Sequence, residues 1–407
     1  MTAPRRADFS ALTCGNGVSL MAAVPGPDLA ARGYLEEELR ATGRATAYDG
    51  SGDAPYATRV VVRRPADGGS GTLVVEWLNV SSGQDAAPDW TYLAEEVVRR
   101  GHAWAGVSAQ RVGVEGGTPR VETGVALQGL RAIDPERYGD LAHPGDAWCF
   151  DIYTQVARGL AVDLGATCVL AIGESQSAYA LTTYLDLVQE EAGLFDGFLV
   201  HSRGGGALHT DRPTTIRDVG VPVVVVQTEG DLFGRLAFLP ARQPDTDLLR
   251  VWEVAGSAHA DLFQIGAFES FLGCPDPVNR GQQAYVVRAA LRWLESWARG
   301  GPAAPSAARL EVDGDRFVLD EHGNVRGGVR TPVVDAPADV LSGYAAAGAS
   351  PICELFGRTL PLARPWWSSP EEYLAAYEHA TDAAIAAGFV LAEDRAAVLA
   401  EARPVAP

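Results

Sequence analysis

Residues Thr167–Leu185 read TCVLAIGESQSAYALTTYL, and this stretch decides the fold. Cys168–Ile172 is a short apolar run with Val169 and Ile172, the length and composition of a fully buried strand. The chain then turns through Gly173-Glu174-Ser175-Gln176-Ser177. It continues with Ala178, Leu181 and Leu185 at the spacing that puts them on one face of a helix. Strand, sharp turn with a central serine, helix is the setting of a nucleophile elbow. The serine sits in a strained turn, so the residues two before and two after it must be small. The start of the new helix also aims N–H groups at any oxyanion that forms there. Gly173 meets the first requirement, and Ser177 stands at the second, where glycine is commoner; the pattern is therefore G-x-S-x-S. A serine in an ordinary βα turn gives the same string, so its partners have to decide.

Composition narrows the field. With 407 residues, 47% of them hydrophobic, the chain can build a large core, and one wound α/β domain with decorations is preferred over two or three domains. The formal net charge is -19, and all of the basic residues are arginine. An acidic surface speaks against nucleic acid and anionic membranes as partners. The five cysteines (Cys14, Cys149, Cys168, Cys274, Cys353) are scattered without C-x-x-C spacing, which reads as reduced thiols, with a Cys274–Cys353 bridge the less favoured alternative. No signal peptide and no eighteen-residue apolar run are apparent, so a cytoplasmic protein is expected. His143, His201 and His209 have no ligand spacing, and neither a metal nor a cofactor is expected. Oligomeric state is left open.

Read in order, Met1–Pro27 has the texture of a surface arm. Tyr34–Tyr48 and Tyr56–Arg64 follow as antiparallel edge strands. Thr72–Leu78 (TLVVEWL) is a buried strand, then come the loop Asn79–Pro88 and a helix over Asp89–Arg100 ended by Gly101. His102–Ala109 is the next strand, Gln110–Gly145 a long loop, and Trp148–Asp163 a helix. Further strands fit Gly197–Ser202, Val221–Gln227 and Leu248–Val254, before a helix over Gln282–Arg299. Such alternation predicts a mostly parallel twisted sheet with helices on both faces. The expected division is a core over 30–300, carrying the 110–145 insertion, and a C-terminal α+β extension over 301–407 packed on it. Within the extension, Pro302–Pro305 reads as a linker, Arg309–Leu319 as a β-hairpin, and the end as two helices.

Partners for Ser175 belong at the carboxyl ends of the parallel strands. VPVVVVQ runs out into Thr228-Glu229-Gly230-Asp231, and LLRVWEV into Ala255-Gly256-Ser257-Ala258-His259. The order Ser175, Asp231, His259 is that of an α/β-hydrolase triad. Glu229 is the alternative acid: if the strand persists, it points the same way as Asp231. Asp231 is preferred for its shorter, less flexible side chain. One oxyanion donor is expected from the backbone N–H of Gln176. The second is expected from the loop after TLVVEWL, at Asn79, Val80 or Ser81. Arg203 reads as structural, while Trp148, Phe150, Phe233 and Phe238 are candidates for lining an acyl pocket.

These residues carry a resemblance. VEWLNVSSGQDAAPDW, GVSAQRVGV, RYGDLAHPGD, AIGESQSA, the QTEGD turn, WEVAGSAHAD and GNVRGGVRTP together resemble a carboxylesterase-like family of long α/β-hydrolase-domain proteins. The resemblance runs from about Tyr34 to the final helix and implies a Ser-His-acid ester hydrolase acting on a small-molecule ester. Lactone or thioester cleavage and acyl transfer are chemical neighbours on the same triad. A non-catalytic binding protein of the same fold is the competing class, since fold alone proves no activity. An aspartate at the elbow would mark epoxide hydrolysis or dehalogenation; Ser175 excludes both.

Overall fold

The computed structural model describes residues 4–22, 26–121, 127–208 and 212–404. They form two compact units. The first holds the described residues up to Val200 with 207–208 and 216–222; the second holds 201–206, 212–215 and 223–404.

In the first unit, strands β1 (Asp8–Ala11), β2 (Tyr34–Thr46), β3 (Asp53–Pro65), β4 (Thr72–Trp77), β5 (Ala103–Val107), β6 (Cys168–Glu174) and β7 (Gly197–His201) lie in the order β1-β2-β3-β5-β4-β6-β7. The β1–β2, β2–β3 and β3–β5 pairs are antiparallel, and β4 runs parallel to both β5 and β6. β4 and β6 are buried along their whole length, as their mostly apolar runs require. Helices Pro88–Arg99, Cys149–Asp163 and Gln176–Leu187 pack against them. Two expectations are corrected here. The N-terminal arm contains β1, which pairs Asp8–Ala11 with Leu39–Thr42. The 110–145 segment is not plain loop either, since it carries the short helices Arg111–Glu115, Leu130–Ile133 and Pro135–Tyr138.

In the second unit, β8 (Val223–Thr228) and β9 (Leu249–Val254) pair in parallel, and helix Gln283–Ala298 packs on β8. The residues beyond 300 are fastened to that helix. The Tyr285 hydroxyl donates to Glu401 Oε1 at 2.6 Å, Gln282 Nε2 to the Tyr377 hydroxyl at 2.9 Å, and Trp293 Nε1 to the Gly388 carbonyl at 2.8 Å. The supposed linker is packed as well: the carbonyls of Ala304 and Pro305 accept from Arg250 Nε at 2.7 Å and Trp252 Nε1 at 2.8 Å. The hairpin is present as Val312–Asp313 paired with Arg316–Phe317. A second small sheet, Asp339–Ser342 with Arg358–Pro361, was not foreseen, because Asp339 and Pro361 interrupt the strand pattern.

Cys274 and Cys353 form a disulfide, with Cα atoms 5.6 Å apart across a sequence separation of 79. This corrects the reading of five reduced thiols and removes the cysteine argument for a cytoplasmic location. The pairing is made by tertiary folding, which leaves no mark in local spacing. Among the described residues no helix is long and apolar enough to cross a membrane.

Candidate active site

The buried strand β6 ends at Glu174 and the helix begins at Gln176, so one residue has to make the turn. That residue is Ser175, half-buried, with φ 60° and ψ -118°. A side chain in this left-handed backbone costs about 1–3 kcal/mol and persists only where its surroundings enforce it. The flanking small residues follow from the same geometry. A Cβ on Gly173 would lie 2.9 Å from Ser177 Cβ and 3.1 Å from its carbonyl carbon and oxygen, so the two positions touch across the turn.

The loop after β4 lies against this turn. Asn79 Nδ2 donates to the carbonyl oxygen of Glu174 at 3.1 Å, and Asn79 Oδ1 accepts from the Ser81 N–H at 2.8 Å. The Val80 N–H donates to Gln176 Oε1 at 3.2 Å. Gln176 Nε2 in turn donates to Gln110 Oε1, which also accepts from Trp77 Nε1 at 3.1 Å. The Asn79 and Ala86 backbones exchange two hydrogen bonds of 2.9 Å, closing the loop at its base. Asn79, Val80, Ser81 and Gln176 are thus brought together. The three loop amides, however, all donate to protein acceptors.

Three residues that hold this loop were missed. Glu76, fully buried on β4, accepts from the amides of Asp89 (3.1 Å) and Trp90 (2.9 Å) and from Trp104 Nε1 (3.0 Å), capping the helix that follows the loop. Burial, and then the neighbouring Asp89, push its carboxyl well above the usual carboxylate range. Arg59 of β3 reaches Asp85 at 2.7 Å and Glu38 at 3.2 Å, with Arg59 and Asp85 both buried. A lone charge inside an apolar run, as in TLVVEWL and ATRVVV, is the signal that marks Glu76 and Arg59.

The second unit holds the histidine and both carboxylates. β8 stops at Thr228 and a helical turn, Glu229–Leu232, follows at once. Residues two apart in a helical turn face nearly opposite ways, so the expectation that Glu229 and Asp231 point together is corrected. Asp231 Oδ1 lies 2.7 Å from His259 Nδ1, and Asp231 Oδ2 accepts from the Thr228 N–H at 2.7 Å; both side chains are buried. Glu229 turns away. Its Oε1 accepts from the Gly256 N–H and its Oε2 from the Gly343 N–H at 2.9 Å, while its carbonyl takes the Tyr344 hydroxyl at 2.8 Å. Burial is the first cause that raises its carboxyl to about pKa 7, opposed by those two backbone hydrogen bonds.

Backbone packs directly on backbone around this turn. A Cβ on Gly230 would sit 2.8 Å from the Gly343 carbonyl and 3.1 Å from the His259 nitrogen. One on Gly357 would meet the Ser342 carbonyl at 2.3 Å and Ala258 Cβ at 2.9 Å. The Ala260 N–H then donates to the Leu355 carbonyl at 3.0 Å, close in sequence to the bridged Cys353.

The other residues singled out in the sequence are mostly structural. Arg203 is buried over the Phe238 ring at 5.6 Å and donates to the Gly204 carbonyl at 3.1 Å. Phe150 packs with Trp77 (5.5 Å) and Tyr184 (6.4 Å) in the first unit's core. Phe233 meets Phe317 edge-to-face at 5.1 Å, and Trp148 donates to the Gly52 carbonyl at 2.9 Å. His143 Nε2 lies 2.8 Å from the Ala109 carbonyl, and burial lowers its pKa. His201 Nε2 lies 3.4 Å from Gln283 Oε1, and His209 is outside the described residues.

The chain belongs to the α/β-hydrolase family: the family model described as "Alpha/beta hydrolase domain" matches residues 4–400. No curated protein matches. Among solved structures, esterase Est22 is 17% identical with a TM-score of 0.38, over 66% of this chain and 81% of that one. An α-β serine hydrolase homologue from Coxiella burnetii is 14% identical with a TM-score of 0.32, over 54% and 88%. A prolyl endopeptidase structure is 14% identical with a TM-score of 0.31, over 55% of this chain and only 35% of that one.

Proposed function

We propose that this chain is a serine hydrolase that cleaves a carboxylic ester of a small molecule through an acyl-enzyme. Ser175 Oγ attacks the ester carbonyl and gives its proton to His259 Nε2. The tetrahedral oxyanion then collapses, the bond to the alcohol oxygen breaks, and His259 returns the proton to the departing alcohol. Water repeats the cycle on the acyl group, leaving a free carboxylic acid and Ser175 restored. Asp231 holds His259 Nδ1 and so leaves Nε2 to carry the proton. Gln176 contributes its backbone N–H to the oxyanion, at the start of a helix where the first amides have no intrahelical partner.

The observation that carries the reading is the backbone of Ser175, left-handed at the single residue between a buried strand and a helix. The buried 2.7 Å bond between Asp231 and His259 supports it and favours Asp231 over Glu229 as the acid. A fluorophosphonate probe tests it. One adduct, mapped to Ser175 and lost in Ser175→Ala, is the expected result. A folded protein with no adduct at Ser175 would leave the binding-protein class in its place.

A further inference from the structure

We infer that the second oxyanion donor is the side-chain amide of Asn79 rather than a backbone N–H of the loop after β4; this rests on Ser175 being the nucleophile. The loop amides have other work. That of Asn79 donates to the Ala86 carbonyl at 2.9 Å, that of Ser81 to Asn79 Oδ1 at 2.8 Å, and that of Val80 to Gln176 Oε1 at 3.2 Å. Gln176 does not swing freely, because its Nε2 is bound to Gln110 Oε1, and Gln110 is itself held by Trp77 Nε1 at 3.1 Å. Using Val80 would mean breaking this buried chain.

Asn79 offers what the backbone does not. Its Oδ1 accepts from Ser81 and one Nδ2 proton goes to the Glu174 carbonyl at 3.1 Å, and these two bonds together fix which end is the amide nitrogen. An amide nitrogen carries two protons, and the second has no acceptor among the described residues. Glu174 O belongs to the peptide bond that leads into Ser175. The spare donor therefore sits on a side chain already bonded to the peptide that leads into the nucleophile. Asn79 is buried, so a hydrogen bond formed there is shielded from water and strengthens as charge develops on oxygen.

The test uses the full chain with p-nitrophenyl acetate and a fluorophosphonate. Asn79→Ala is expected to lower kcat about 100- to 1,000-fold, the usual cost of one oxyanion donor. KM should move less than about threefold, and phosphonylation of Ser175 should slow in parallel. Asn79→Asp keeps the acceptor for Ser81 but loses both donated protons, so it should lose kcat by the same order even if the alanine variant folds poorly. A boronic acid that forms a tetrahedral adduct on the serine should lose affinity in step with kcat, which a merely structural role would not produce. Folded Asn79 variants whose kcat lies within about threefold of wild type would overturn the inference. So would a Gln176→Ala variant with raised kcat, which would make Val80 the donor. Absence of any adduct in the wild-type protein would instead remove the nucleophile assignment beneath it.

Discussion

Replacing Glu229 with glutamine separates the two carboxylates beside the histidine turn. Glu229 is 1% exposed and its carboxyl holds a proton to about pH 7, against 4.5 for the free side chain. Between those two values the folded chain binds more protons than the unfolded one, so stability falls as pH rises through the window. The rise from 4.5 to about 7 corresponds to about 3 kcal/mol, at about 1.4 kcal/mol per pH unit. This penalty is fully present above pH 7 and absent below pH 4.5. Glutamine cannot titrate. Its single oxygen resembles the protonated acid in leaving one of the Gly256 and Gly343 amides poorly matched, at a cost nearly independent of pH. Urea unfolding of both proteins at pH 5 and pH 8, followed by tryptophan fluorescence, should therefore show the stability difference swing by about 3 kcal/mol toward glutamine. A swing below about 1 kcal/mol would refute the reasoning. Turnover of Glu229→Gln at neutral pH should stay within about tenfold of wild type, because Asp231 keeps its bond to His259.

Other substitutions probe the remaining parts. Ser175→Ala should leave circular dichroism unchanged and reduce ester turnover more than a thousandfold; greater residual activity would mean another nucleophile. Asp231→Asn should cost several orders of magnitude in kcat at neutral pH, since the amide favours the wrong tautomer of His259, and a mild effect would reverse the assignment. Cys274→Ser, or a dithiol reductant, should cost up to about 4.5 kcal/mol, the chain-entropy value for a closed loop of this length. An unchanged melting temperature would show that the bridge constrains nothing.

How far the sequence could be read depended on how local each signal was. The strands β4, β6, β8 and β9 were legible because buried parallel strands read as mostly apolar runs, and their boundaries came out within a few residues. The sharp strand-to-helix turn at Ser175 was legible because strain dictates residue size two positions either side of it. The choice between Glu229 and Asp231 was not, since it hangs on where β8 stops, and one residue of difference reverses the facing of a side chain. β1 escaped notice because four residues, DFSA, mostly exposed, carry little pattern. The disulfide and the Gln176–Gln110–Trp77 chain join segments far apart in sequence, and single-chain spacing holds no trace of them.

The bare backbone contacts at Gly230, Gly343 and Gly357 have a consequence for anyone seeking to alter this protein by random mutagenesis and selection. A Cβ at Gly343 would come within 2.4 Å of the Gly230 nitrogen and 2.6 Å of Glu229 Cβ. No rotamer change relieves such an overlap, because the obstructing atoms are mostly main chain. Libraries that randomise these positions should return glycine almost alone. Variation that retunes what the chain accepts has to come from side chains elsewhere, with the histidine turn inherited as a fixed part.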